Sequence, residues 1–330
     1  MGRAREFDSL LARYRAATSG EHQVCRVTGE MGVGKTRLVQ ELAAAVAAEG
    51  GRVCWVRLTE GAPPLWPWAQ VVRSLATCEL PRPSMGTVGS RSDELTHLLH
   101  GWRHDGGRVS AARLGDALAD LIARASQSQP LLLVLDDVQR AKPLTAGVLA
   151  ALEQSLAGAS VLLVLAYRDE ELGPDLADLL DAGPGGGAIR LDGMRGSDLG
   201  TLVALELDAD PASTLVDAVG RVSAGNPAFV QESVHALRLA GDVDTAGDTL
   251  PVPEGVRRLV VNRLARLDVD ERVLLRVAAC FGDLIDSDLV AAVTGTEAAA
   301  VRSVFRRAAE RRLVAQAGAG VWRFASQGVR

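Results

Sequence analysis

Apolar positions along this chain recur with two periods. Phe7, Leu10, Leu11 and Tyr14 follow i, i+3, i+4, i+7, one face of a helix over residues 5–18 that Gly20 ends. Short apolar runs follow at 24–27, 52–58, 131–135, 161–166 and 188–191, each of strand length. Between them lie helical stripes: Leu38, Val39, Leu42, Ala43 and Val46; Trp68, Val71, Val72 and Leu75; Leu114, Leu118, Leu121 and Ile122; and a further helix over 144–156. Runs without polar alternation, such as 131–135, predict strands buried on both faces. Strands alternating with helices predict an α/β fold, a doubly wound parallel sheet. Residues 79–92 read as loop, and the glycines around Pro184 as a flexible break.

Past residue 192 the pattern turns helical. Helices are expected at 197–206, 211–223 and 228–240, the last two separated by Gly225-Asn226-Pro227. Leu250-Pro251-Val252-Pro253 reads as a hinge. Helices at 254–267, 269–281, 286–293 and 297–311 then lead to a hairpin of 313–316 and 321–324 around Gly318-Ala319-Gly320. The expected division is therefore three domains: an α/β core over 1–192, a small helical lid over 193–249, and a winged-helix-like domain over 250–330.

Composition changes this picture little. With 330 residues, 48% of them hydrophobic, there is material for two or three real cores. The net charge of −5, from 36 basic and 41 acidic residues, argues against a chain-wide nucleic-acid surface. Cys25, Cys54, Cys78 and Cys280 form no C-x-x-C pair; Cys25 and Cys54 sit in strand-like runs and read as buried thiols, which fits a reducing cytoplasm. The start of the chain has no apolar signal region, and no apolar run approaches a membrane span.

The chemistry concentrates at Gly29-Glu30-Met31-Gly32-Val33-Gly34-Lys35-Thr36, a G-x-x-x-x-G-K-T stretch between a strand-like and a helix-like run. Its glycines let successive backbone N–H groups turn inward as an anion nest, and the following helix, opening with Arg37, adds the positive end of its dipole. Lys35 would reach the β- and γ-phosphates, and the Thr36 hydroxyl would ligate Mg²⁺. Asp136 and Asp137 end the buried run 131–135, at the strand edge where open α/β sheets bind ligands. They read either as a metal ligand followed by a water-activating acid, or as a strand-to-turn pair doing only capping work. Arg168 follows the next buried run and either senses a γ-phosphate or makes a surface ion pair with Asp169 or Glu170. Trp66 and Trp68 either line a pocket or pack a helical insertion, the second being favoured. Arg302, Arg306, Arg307, Arg311 and Arg312 either touch DNA phosphates or form the solvated face of an amphipathic helix, again the second being favoured.

Taken in order, the phosphate loop, Asp136-Asp137, Tyr167-Arg168-Asp169-Glu170 and Gly225-Asn226-Pro227-Ala228-Phe229-Val230 resemble the signal-transducing ATPases with numerous domains, the STAND class among AAA+ relatives. The chain looks most like the ATPase module of large ATP-binding LuxR-type transcriptional regulators. Gly2-Arg3-Ala4-Arg5-Glu6-Phe7 is similar to that family's opening motif, and the stretch from Leu250 to Leu264 to its entry into the winged-helix region. The resemblance implies ATP and Mg²⁺ as cofactors, with residues 29–37 and Arg3 around the nucleotide, Pro227 against the adenine, and Thr36 and Asp136 on the metal. It also implies Lys35, Asp137 and Arg168 as the catalytic set of a slow ATPase switch. Protein partners or further domains and a nucleotide-dependent oligomer are the partners expected, with DNA contact not favoured and no membrane. Two stretches depart from the family pattern: Arg140 and Lys142 stand where it has an aromatic residue and an acid, and no histidine follows Arg323-Phe324. The family's helical-repeat arm and helix-turn-helix lie outside these 330 residues, so the chain is expected to be a fragment or a stand-alone module.

Overall fold

The computed structural model describes residues 2–79, 95, 98, 110–183, 187–240, 250, 252, 254–282, 284–311, 313–325 and 329. The expected loop at 79–92 apart from Glu79, which ends a helix, most of the glycine break, Pro251 and Pro253, Arg312 and the Cys78 side chain lie outside them. The chain divides into two compact units, Arg3–Leu191 and Asp192–Arg330, the latter joined by Met1–Gly2.

The first unit is built on five parallel strands: β1 (Gln23–Gly29), β2 (Arg52–Arg57), β3 (Leu131–Asp136), β4 (Val161–Tyr167) and β5 (Gly187–Leu191). Their order across the sheet is β2-β3-β4-β1-β5, with every neighbouring pair parallel. Every residue of β3 and β4 is buried, as their unbroken apolar runs require. Alternate side chains of these strands leave on opposite faces. Leu131, Leu133, Leu135, Val161, Leu163 and Leu165 join the core on one face. Leu132, Val134, Leu162 and Val164 join the core on the other.

Helices α1 (Ala4–Thr18) and α2 (Lys35–Ala48) cover that second face through Leu10, Tyr14, Leu38, Val39 and Leu42. The first is covered by α3 (Trp66–Glu79), α4 (Ala111–Ser128), α5 (Pro143–Ser155) and α6 (Pro174–Ala182). Trp68 is fully buried there, so it packs the core. The periodicity predicted every one of these elements except α6. That helix has only nine residues, with Pro174 at its first position and Leu176 and Leu180 buried beneath it. Two turns against the sheet suffice because tertiary packing, not intrinsic propensity, stabilises so short a helix.

In the second unit, α7 (Gly196–Leu207), α8 (Ser213–Ser223) and α9 (Pro227–Ala240) share a core of Leu199, Val203, Val219, Val222, Val230 and Val234. The Gly-Asn-Pro stretch starts α9. The Asn226 side chain accepts a hydrogen bond from Ala228 N at 3.1 Å, and Pro227 occupies the first helical position, where its missing N–H costs nothing. Helices α10 (Glu254–Leu264), α11 (Val269–Ala279), α12 (Ser287–Thr294) and α13 (Ala298–Glu310) pack with an antiparallel sheet of order β6-β8-β7. Its strands are β6 (Leu284–Asp286), β7 (Val314–Gly318) and β8 (Val321–Phe324). The expected hairpin is β7–β8. The third strand, β6, is three residues long, too short for a periodic signal, and pairs with β8 through Ile285 and Trp322. A capping box between Asp268 and Glu271 starts α11.

Candidate functional site

The site forms where the carboxyl ends of β2, β3, β4 and β1 come level. The parallel register sets Arg57 beside Asp136, Asp136 beside Ala166, and Thr28 beside Tyr167. Residues just past these ends, remote in sequence, therefore share one edge of the sheet.

The loop of residues 29–34 leaves β1 at Gly29. Gly29 has φ +143°, and a Cβ there would lie 2.5 Å from the Leu191 carbonyl oxygen on β5, so only glycine fits. Gly32 and Gly34 also hold positive φ, at +79° and +104°, and Gly34 caps α2. Arg3 reaches the loop through the Val33 carbonyl at 3.4 Å. Lys35, only 8% exposed, folds its ammonium back onto the Gly29 and Glu30 carbonyls, both at 2.7 Å. Burial first, and the charge of Arg168 second, hold the Lys35 pKa down to about 8. Met31 and Gly32 face solvent at the loop tip, and Arg37 pairs with Glu41 at 2.9 Å on the outer face of α2.

The Thr36 hydroxyl donates to Asp136 Oδ2 at 3.2 Å, joining residues a hundred positions apart. Asp136 is 2% exposed. Burial and then the neighbouring Asp137 charge push its pKa up, against the opposing effects of Arg57 and Thr36. These two hard oxygen donors suit Mg²⁺, which takes one or two protein oxygens and completes its shell with phosphates and water. Among the described residues, no group of three or more His, Cys, Asp or Glu side chains could hold a metal without such help.

Asp137 sits in the left-handed region at φ +59°, which turns its carboxylate away from the strand direction. Its Oδ1 accepts from Gln139 Nε2 at 3.0 Å and lies 3.7 Å from the Arg168 guanidinium. Its Oδ2 lies 3.3 Å from Arg57 Nε. Arg168 is also paired with Glu171 at 2.7 Å, and its backbone N–H donates to Gln139 Oε1 at 3.3 Å. Gln139 thus ties the ends of β3 and β4 together.

The structure therefore gathers Lys35, Thr36, Asp136, Asp137 and Arg168 at one edge, with Arg3 against the loop. Pro227 belongs to the other compact unit. Arg140 and Lys142 are exposed on the turn after Asp137 and the cap of α5. Three members escaped sequence reading: Arg57, Gln139 and Glu171. Only Arg57 carried a signal, as a cation ending a strand whose neighbour ends in Asp136.

A cavity of about 570 Å³ lies elsewhere, lined by residues of the second unit such as Leu199, Arg221 and Arg323. It contains none of the phosphate-loop chemistry, so the site is assigned by chemistry and not by volume. The arginines of α13 are largely engaged within the fold. Arg307 pairs with Glu271 and bonds Ser303, and Arg302 lies 3.7 Å from Asp288. No helix among the described residues is long and apolar enough to cross a membrane.

Residues 1–164 match the sequence model of the AAA ATPase domain. None of the curated protein sequences matches the chain. Among solved structures, a point variant of RuvB from Thermotoga maritima is 15% identical with a TM-score of 0.45, over 98% of this chain and 92% of that one. AMPPCP-bound DnaA from Aquifex aeolicus is 13% identical with a TM-score of 0.48, over 94% and 88%. A DNA replication initiation factor is 13% identical with a TM-score of 0.45, over 92% and 83%.

Proposed function

From an AAA ATPase domain over residues 1–164, we propose that this chain binds ATP with Mg²⁺ and hydrolyses it slowly, as a nucleotide-controlled switch in a regulatory protein. The observation that carries the proposal is the hydrogen bond from Thr36 to Asp136, which joins the phosphate loop to the carboxylate edge in one site. Backbone N–H groups of residues 30–36 and the Lys35 ammonium hold the phosphates. Thr36 and Asp136 would hold Mg²⁺, which would supply positive charge to the phosphate oxygens. Asp137 orients the attacking water and accepts its proton, while Arg168 stabilises charge on the transferring group. Arg3 and Pro227 are assigned to the base, following the resemblance. Slow turnover suits a switch, which needs different contacts in its two states and not speed. A STAND-like regulatory role, with residues 193–249 as lid and 250–330 as winged helix, is the reading best supported by motif order.

The test is nucleotide affinity, measured by calorimetry on the whole chain with Mg²⁺. Lys35→Ala is expected to weaken ATP binding by roughly ten- to a hundredfold, the scale of a lost charged hydrogen bond. Wild-type protein that fails to bind ATP with Mg²⁺ would overturn the proposal.

A pH prediction follows from Lys35. Phosphates favour its charged form, so its pKa is higher in the complex than the value of about 8 without ligand. Above that value, binding must take up a proton, and affinity falls as pH rises, by at most about tenfold per unit. Calorimetry at pH 9 in buffers of different ionisation enthalpy should show this uptake, and at pH 7 it should fall to about a tenth of a proton.

A second reading, a nucleotide-binding scaffold with little hydrolysis, is favoured by one observation. Both oxygens of Asp137 are already engaged, by Gln139 and Arg168 on one side and Arg57 on the other.

A further inference from the structure

Arg57 ends β2 with its side chain 57% exposed, and its two nitrogen types face different carboxylates. One terminal nitrogen lies 3.4 Å from Asp136 Oδ2, and Nε lies 3.3 Å from Asp137 Oδ2. Asp136 Oδ2 is also the oxygen that accepts from Thr36. The guanidinium is therefore bound to the same oxygen that the proposed metal site requires.

Electrostatics explains why it sits there. Two adjacent carboxylates, one of them almost fully buried, repel each other and cost desolvation unless a cation lies between them. Arg168 and Gln139 compensate Asp137 from its Oδ1 side, whereas Asp136 has Arg57 as the cation within salt-bridge distance that is described for it. A divalent cation on Asp136 Oδ2 would stand within a few ångströms of the guanidinium as it sits here. At about 4 Å, like charges repel, and solvent around the exposed guanidinium screens that repulsion only in part. The two cations cannot share the oxygen, but the Arg57 side chain is more than half in solvent and holds the carboxylates by ion pairs of 3.4 and 3.3 Å, so it can swing away.

We propose that Arg57 is an internal counter-cation that takes the metal's place on Asp136 Oδ2, while also facing Asp137, and is displaced when a divalent cation enters. The device keeps the carboxylate pair neutralised when no metal is held. It also makes divalent loading a competition with a tethered arginine, coupling metal entry to a movement at the end of β2. This inference rests on the nucleotide and Mg²⁺ reading of the site, but its test does not require nucleotide.

The experiment is Mn²⁺ binding followed by electron paramagnetic resonance, on the whole chain without nucleotide. Arg57→Gln should bind Mn²⁺ about five- to tenfold more tightly than wild type, the scale of a partly exposed charge pair against a buried carboxylate. Adding Asp136→Asn should abolish the gain. Arg57→Lys, whose single ammonium cannot face both carboxylates at once, should show a smaller gain, and it reads the same competition if Arg57→Gln does not fold. Equal or weaker Mn²⁺ affinity in the folded variants, or a gain that survives Asp136→Asn, would overturn the inference. Failure of the wild type to bind ATP would remove the functional proposal while leaving the Mn²⁺ comparison intact.

Discussion

Asp137→Asn should lower phosphate release from ATP by about a hundred- to ten-thousandfold, the usual worth of a positioned general base, while leaving ATP affinity nearly unchanged. Asparagine tolerates the left-handed backbone that Asp137 adopts at φ +59°, so the turn after β3 should survive. Its side-chain oxygen can still accept from Gln139. What it loses is the ability to take a proton from water. It also loses its ion pairs with Arg57 and Arg168, which are long at 3.3 and 3.7 Å. Parallel measurements of phosphate release and nucleotide affinity check this. Equal background release from both proteins, with ATP binding intact, would instead establish the scaffold reading.

Gly29→Ala should destabilise the Arg3–Leu191 unit by about 3–5 kcal/mol, combining overpacking with backbone strain. The new Cβ would lie 2.5 Å from the Leu191 carbonyl oxygen and 3.0 Å from Val33 Cγ1. The first contact is with backbone held in the β1–β5 ladder, where Gly29 is the register partner of Leu191, so it cannot rotate away. The loop must move, and the Lys35 ammonium loses the Gly29 carbonyl that positions it. Gly34→Ala is the contrasting case. Its φ is +104° but no atom lies within 4 Å of the added Cβ, so the cost is backbone strain alone, about 1–2 kcal/mol. Urea denaturation of the two variants should separate them by at least about 1 kcal/mol. A smaller separation would show that β5 yields easily at Leu191.

The sheet was legible because its central strands are buried on both faces. Burial on two sides demands unbroken apolar runs, and Leu131–Asp136 and Val161–Tyr167 display them openly. The helices of both units were legible wherever they bury a stripe of several turns. What escaped was short. The nine-residue α6 and the three-residue β6 have too few positions for a period to register, and both exist because a larger partner, the sheet face or β8, holds them.

The candidate site divides along the same line. By itself the sequence determined the phosphate loop, because spacing within eight consecutive residues sets its backbone chemistry. It also determined that two carboxylates and an arginine end buried strands. Only tertiary structure decided which of these groups meet. The parallel register of β2, β3 and β4 places Arg57 beside Asp136, and the left-handed turn at Asp137 hands its carboxylate to Arg57, Arg168 and Gln139. No spacing along the chain encodes that encounter. It depends on which strand pairs with which, and strand pairing is settled by the packing of whole faces, not by the few residues at their ends.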